Sequence, residues 1–410
     1  MNTEKKFFHS NTAIVTLFAA CFVVLISLGV RQTFGLFFID FNESLNISNT
    51  AFGFAIGTQM LMWGLTGPIF GAIADRFGGH VAIISSFLFY TLGVYFLYSG
   101  PNTGIFFQIH LGLLIGIGLG GTAISIPMSI VGKHFPLSNR TIAMSIVTAV
   151  GSFGYFISPI FTNYSLIEYG WNYTLFLFSL FLVTGLIAAY FVRSPKENEI
   201  VENRSDQSFK EALSEAFKSK SYILLVSGFF VCGFHITLVG THVPKYVIDR
   251  GLEDWTAAAI LSLIGLFNIF GSLLSGYLST KISKKVLLSA IYLLRGFSIA
   301  FFIFTPPNVL SAFIFGASFG FLWLSTVPAT SGIVAHLFGT KYLGLLYGIV
   351  FLSHQIGSFF GAYLGGLFHD LYGSYDYAWY LAILLSIFAA IIHLPTVSYT
   401  HLTLPTNREV

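Results

Sequence analysis

Twelve runs of mostly apolar residues, each long enough to cross a bilayer as a helix, constrain this chain more than any single motif does. Crossing about 30 Å of hydrocarbon takes about 20 such residues. The runs occupy residues 12–39, 51–73, 81–99, 104–131, 141–163 and 173–192, then 222–247, 256–280, 286–304, 309–335, 343–367 and 376–394. A polar stretch from Arg193 to Lys220 separates the sixth from the seventh. Lipid also accounts for the composition. Of the 410 residues, 55% are hydrophobic and 9% charged, whereas soluble domains carry about 25% charged residues and need polar cover for their surface. The first run is too long for a signal-peptide core and lacks a small-residue cleavage site, so it reads as a retained first helix. The predicted fold is all-α and integral to the membrane. Residues 1–192 and 221–397 each supply a six-helix bundle, joined by a central connection at 193–220.

Charge sets the orientation. With the N-terminus on the cytoplasmic side, sixteen of the twenty Lys and Arg residues fall in cytoplasmic segments: Lys5, Lys6, Arg76, Lys133, Arg140, Arg193, Lys196, Arg204, Lys210, Lys218, Lys220, Lys281, Lys284, Lys285, Lys341 and Arg408. Lys245 and Arg250 fall outside, and Arg31 and Arg295 lie within apolar runs. Basic residues concentrate on the cytoplasmic side of membrane proteins, so both termini are expected there. The halves also echo each other. Gly71 and Gly276 open similar helix ends 205 residues apart, Gly151-Ser-Phe recurs as Gly357-Ser-Phe after 206, and Tyr169-Gly170 recurs as Tyr372-Gly373 after 203. Three landmarks at nearly one offset indicate a duplicated six-helix unit, one known plan for transporters.

Several function classes drop out. The net charge of +3 is small and does not bear on nucleic acid, and no basic stripe interleaves with aromatics as a nucleic-acid surface would require, so no nucleic-acid partner is expected. Cys21 and Cys232 lie inside apolar runs and read as buried free thiols. No metal-ligand cluster and no nucleophile–base pair stands out, so no enzyme, metal or cofactor is expected. The glycines around Gly112, Gly116, Gly118, Gly120 and Gly121 lack a following Lys-Ser or Lys-Thr and read as close helix packing, not a phosphate loop. Without a nucleotide motif, transport would be driven by gradients.

The stretch Gly71-x-x-x-Asp75-Arg76-x-Gly78 resembles the loop 2–3 signature of the major facilitator superfamily, and with the helix count and repeat the resemblance covers residues 12–394. The signature usually ends in two basic residues, which here are Gly79 and His80. Asp75 and Arg76 would tie neighbouring helix ends as a clasp that closes in one state; ordinary interface charge beside a tight glycine turn is the plainer reading. Within the superfamily, Gly29-Val-Arg31-Gln-Thr-Phe-Gly, Gly320-Phe-Leu-Trp323 and Gly348-Ile-Val-Phe-Leu-Ser-His354-Gln355-Ile-Gly357 are similar to the monocarboxylate and oxalate–formate transporter branch. That resemblance places Arg31 where monocarboxylate transporters carry a functional lysine in helix 1. Their helix 8 aspartate and arginine correspond to Asn268 and Ser272.

No acid lies mid-span, but Arg31 and Arg295 do. Charge at mid-membrane costs about 2.5–3.5 kcal/mol on insertion scales, so such residues face a cavity or a partner. A buried cation without an acid suits an anion, and guanidinium grips a carboxylate bidentately. Arg31 is the leading substrate residue, with snorkelling toward the outer surface as the alternative. Arg295, in helix 9, is read as either structural or functional. His235 and His354 could bond an anion or carry a coupled proton, or be neutral interhelical donors. Gln59, Asn268, Trp323 and Gln355 could line the site or bond neighbouring helices. The expected function is a secondary transporter of a small organic anion, a mono- or dicarboxylate, working with a coupled proton or counter-anion as a monomer in the cell (plasma or inner) membrane. An exporter of drugs or other hydrophobic compounds, suggested by 17% aromatic residues, is the alternative. The tail at 398–410 has no helical period, resembles a translated sequencing-library adapter, and is left out of the functional reading.

Overall fold

The structure is a computed structural model describing residues 11–194, 209–339 and 342–396. The tail from 398, residues 195–208 of the central connection, and the basic residues Lys5, Lys6, Lys196, Arg204, Lys341 and Arg408 lie outside these.

The described chain is almost wholly helical. In order come α1 (Asn11–Leu45), α2 (Asn49–Phe77), α3 (Gly79–Ser99), α4 (Ile105–His134), α5 (Leu137–Ala189), α6 (Phe209–Lys218), α7 (Lys220–Asp249), α8 (Asp254–Leu278), α9 (Lys284–Phe304), α10 (Val309–Phe338), α11 (Leu343–Tyr372) and α12 (Asp376–His393). Among the described residues, ten helices are long and apolar enough to cross a membrane. One is α5, whose run is broken at Gly170 by non-helical angles (φ 79°, ψ 168°). The connection expected between helices 5 and 6 thus shrinks to a turn that glycine alone takes without strain. Helix α2 is 29 residues long, but Gln59, Thr66 and its glycines dilute its apolar character. A short amphipathic helix, α6, occupies part of the expected polar connection.

Local chemistry sets several boundaries. Ser48 caps α2 by accepting from the Ala51 N–H, and Asn308 with Ser311 forms a reciprocal cap on α10. Gly78, at φ 95°, turns α2 into α3. Two helices break internally at matching places. In α4 the first part ends at Thr122 and the second begins at Ser125; in α10 the corresponding residues are Leu322 and Thr326. Pro127 and Pro328 follow the two breaks. Neither proline has an N–H to continue the helix.

Buried apolar side chains form two clusters. One runs from Ala13 to Val192 and includes Ala362; the other runs from Ala216 to Ala390. The halves touch along α2 with α11 and α5 with α8, at positions where glycine lets backbones meet. A side-chain carbon at Gly53 would fall on the Ala362 carbonyl, one at Gly366 on that of Asn49, and one at Gly265 on the backbone of Tyr155 and Phe156. Toward the Asp75 end the packing stops: nothing lies within 4 Å of such a carbon at Gly71, Gly276, Gly344 or Gly348. The halves are sealed at the Asn49 end and parted at the other.

Candidate functional site

Arg31 sits near the end of the α-helical part of α1, just before a 3₁₀ turn at Phe34–Phe37, and is 8% exposed. Its Nη1 donates to Gln32 Oε1 (3.4 Å) and its Nη2 lies 3.2 Å from Met60 Sδ. Its guanidinium carbon is 6.0 Å from the centre of the Trp63 ring, and the Tyr155 phenol of α5 faces it. Met60 and Trp63 are three residues apart on α2 and so share a face. These are weak partners for a charge. The ion pairs among the described residues are Lys133–Asp75, Lys245–Asp249 and His369–Asp249, so no carboxylate neutralises Arg31.

From Arg31 a chain of rings crosses to the other half. The Trp63 ring meets Phe351 of α11 edge-on at 5.8 Å, Phe351 stacks on His354 at 5.7 Å, and His354 lies 5.1 Å from Phe229 of α7. His354 Nδ1 is 3.1 Å from Gln355 Oε1. Gln355 is fully buried, its side-chain carbons lie against Gly64 of α2, and its amide nitrogen has no partner. Arg31, His354 and Gln355 therefore belong to one interfacial cluster. Met60, Trp63, Tyr155 and Phe351, which sequence reading did not single out, complete it. The only signal for them was aromatic and thioether residues at helical spacing, a pattern shared with ordinary packing.

The other expected residues stand elsewhere. His235 is fully buried and directed at α12, with Nε2 2.8 Å from the Ala382 carbonyl and 3.3 Å from the Ser386 hydroxyl. Gln59 donates to the Leu111 carbonyl of α4 (3.0 Å), within its own half. Asn268 donates to Ser152 across the halves (2.9 Å) and accepts the Leu324 N–H (3.0 Å) and the Ser272 hydroxyl. Arg295 is fully buried and donates to the Leu322 carbonyl through Nε (3.1 Å) and Nη2 (2.7 Å), and to the Trp323 carbonyl at 2.5 Å. It thus caps the broken end of α10, where free carbonyls and helix dipole favour a cation. Trp323 is buried at that same break.

The two ends differ in kind. At the parted end, Asp75 pairs with Lys133 of α4 at 2.9 Å, with Asp75 largely and Lys133 partly exposed, and Arg76 lies over the Phe77 ring. This joins α2 and α4 within one half; Gly71 and Gly78 form the helix end and turn around it. At the sealed end, Asp370 of α11 accepts from the Asn49 amide and the Thr50 N–H of α2, each at 2.7 Å, and the Tyr375 hydroxyl donates to Asn49 Oδ1 at 2.9 Å.

A family model described as Major Facilitator Superfamily matches residues 20–327. The chain is 23% identical to the uncharacterized MFS-type transporter YcxA of Bacillus subtilis over 376 residues, 87% of this chain and 89% of that protein. It is 24% identical to monocarboxylate transporter 13 of Rattus norvegicus over 383 residues, 90% and 85% of the two chains. Its fold is similar to that of a bacterial homolog to the human lysosomal transporter Spinster, in an inward-facing and unoccupied conformation, with a TM-score of 0.73 over 94% of this chain and 96% of that one at 16% identity. The chain belongs to the major facilitator superfamily and is a multi-pass membrane transporter.

Proposed function

We propose that the protein is a secondary transporter of a small organic anion, a mono- or dicarboxylate, working by alternating access. One observation carries the reading: Arg31 is buried and faces a thioether, an indole and a phenol of its own half, the last two of which touch the other half, with no carboxylate partner among the described residues. A buried charge without a partner is costly, and a carboxylate arriving between the halves would supply one with bidentate geometry. His354 and Gln355, facing from the other half, would give donors to the same anion, and His354 would be the group that takes up a coupled proton. With Asn268 in place of the family's helix 8 aspartate, the acid on that helix is Asp254 at its very start, away from mid-span.

In this reading α2 counts as a span and α5 as two spans meeting at Gly170, giving twelve, with both termini and the parted end cytoplasmic. The structure is then the inward-open state. Uptake into proteoliposomes from a panel of labelled mono- and dicarboxylates, with and without a pH gradient, tests the reading: at least one carboxylate accumulates and Arg31→Gln abolishes its uptake. Transport of neutral or cationic compounds with no carboxylate carried would reject it. One feature favours the alternative exporter of hydrophobic compounds. A groove of about 490 Å³ along α2 is lined by Pro68, Ile69, Ala72, Ile73, Arg76 and Phe77, and all but Arg76 present apolar surface.

A further inference from the structure

Asp370 stands at the end of α11 but completes a different helix. The first N–H groups of an α-helix have no partner within it. In α2, Ser48 satisfies that of Ala51, and the Thr50 N–H is satisfied by Asp370 Oδ2 from the opposite half, while Oδ1 takes the Asn49 amide, both at 2.7 Å. A carboxylate at a helix N-terminus is also favoured by the helix dipole. Tyr375, just before α12, adds a bond to Asn49, and Gly366, one turn before Asp370, lies directly on the Asn49 carbonyl. The contacts of Asp370, Tyr375 and Gly366 with α2 join the halves at the sealed end, so none of them survives if that end opens.

We propose that Asp370 is the residue that sets the balance between the two access states: its ionised carboxylate caps α2 across the interface and holds the outer end shut, and its protonation releases that end. A neutral carboxyl keeps one oxygen as a good acceptor, cannot serve two donors as an anion does, and loses the attraction to the dipole. The charged and titratable groups around it come from three helices. Helix α7 brings His242, Lys245 and Asp249, with Lys245 2.5 Å and His369 3.4 Å from the Asp249 carboxylate. Helix α11 brings His369 itself, Tyr375 lies just before α12, and α12 brings Asp376. His242 and Tyr375 both feel the Asp370 charge. Helix α2 presents Ser48, Asn49 and Thr50, none of which titrates, so of the groups bonded directly in the cap only the Asp370 carboxylate changes charge with acid. The proposal rests on alternation between two states and not on the identity of the substrate.

The test is a distance across the outer end. Spin labels at Glu43 and Tyr377, both exposed, report the separation of the halves in purified, reconstituted protein with the two native cysteines, both buried, left in place. At neutral pH the wild type gives one short distance. Acid adds a longer population. Asp370→Asn shows the longer population already at neutral pH, shifting the closed-to-open ratio by roughly ten- to a hundredfold, the range expected for a charged hydrogen bond, and its distribution no longer changes with acid. Asp370→Glu, which keeps the charge, restores a mainly closed, acid-sensitive distribution. Size-exclusion profiles matching wild type show that the variants are folded. An Asp370→Asn distribution identical to wild type overturns the latch, and an acid response persisting in Asp370→Asn overturns its assignment as the titrating group.

Discussion

The two arginines in the apolar runs look alike in sequence, since each lies mid-run without an acid nearby, yet the structure uses them in opposite ways. Arg295 is consumed by the carbonyls of Leu322 and Trp323. Arg31 is left facing Met60, Trp63 and Tyr155. The difference was not legible because it depends on a helix break, which only Gly320 and Pro328 hinted at. It leads to separate outcomes. Arg295→Gln should destabilise the detergent-solubilised protein by about 1.5–3 kcal/mol, the worth of a hydrogen bond to a charged group, and leave substrate affinity unchanged. Thermal denaturation beside a binding isotherm checks this; weakened binding without loss of stability would move Arg295 into the site. Histidine was harder still to read. His235 and His354 both lie near mid-span, but one donates to an α12 carbonyl and the other stacks on Phe351 beside Gln355. If His354 carries the coupled proton, His354→Gln should abolish accumulation driven by a pH gradient and spare exchange of substrate for substrate, because exchange moves no net proton. Accumulation unchanged in the variant would send the search to another ion.

At the level of helices, most of the apolar runs fall on helices long and apolar enough to span, because in lipid every backbone group must be bonded within its own helix and long apolar runs have few alternatives. What the runs could not give were the breaks in α4 and α10, whose freed backbone is satisfied by residues from other helices. Ser86 of α3 bonds Gly118 and Gly121, Asn268 of α8 bonds Leu324, and Ser275 of α8 donates to the Ser325 carbonyl. The loop 2–3 signature was legible, but its partner was not: Lys133, 58 residues away, holds Asp75. That pair is largely exposed and should contribute little stability, roughly 0–1 kcal/mol. Asp75→Asn should therefore leave insertion and substrate affinity intact and lower turnover, since a clasp biases the access states without touching substrate. Initial uptake rates at matched surface expression decide this, and normal turnover in the variant would reduce the pair to surface charge.

For the whole molecule, the repeat raised the expectation of two similar halves and the charge bias that of an orientation; the buried apolar side chains form one cluster from Ala13 to Val192 with Ala362 and another from Ala216 to Ala390. The state of the gap between the halves was not legible. It depends on where glycine-lined faces of α2 and α11 meet, and glycines occur along both helices, packed at one end and open at the other. Orientation can be checked directly. Cysteines replacing Glu43 and Asp254 should react with an impermeant thiol reagent from outside intact cells, and one replacing Lys281 should not; labelling of Lys281→Cys from outside would invert the assignment. The central claim is that an anion bound between the halves pairs with Arg31. Binding of the transported carboxylate to purified wild type, Arg31→Gln and Arg31→Lys is its most direct test. A lost charged hydrogen bond contributes about 1.5–3 kcal/mol, and each 1.4 kcal/mol is about tenfold. Affinity should fall roughly ten- to a hundredfold in Arg31→Gln and less in Arg31→Lys, which keeps the charge but not the fork; an Arg31→Gln protein that binds the anion as tightly as wild type would contradict the account.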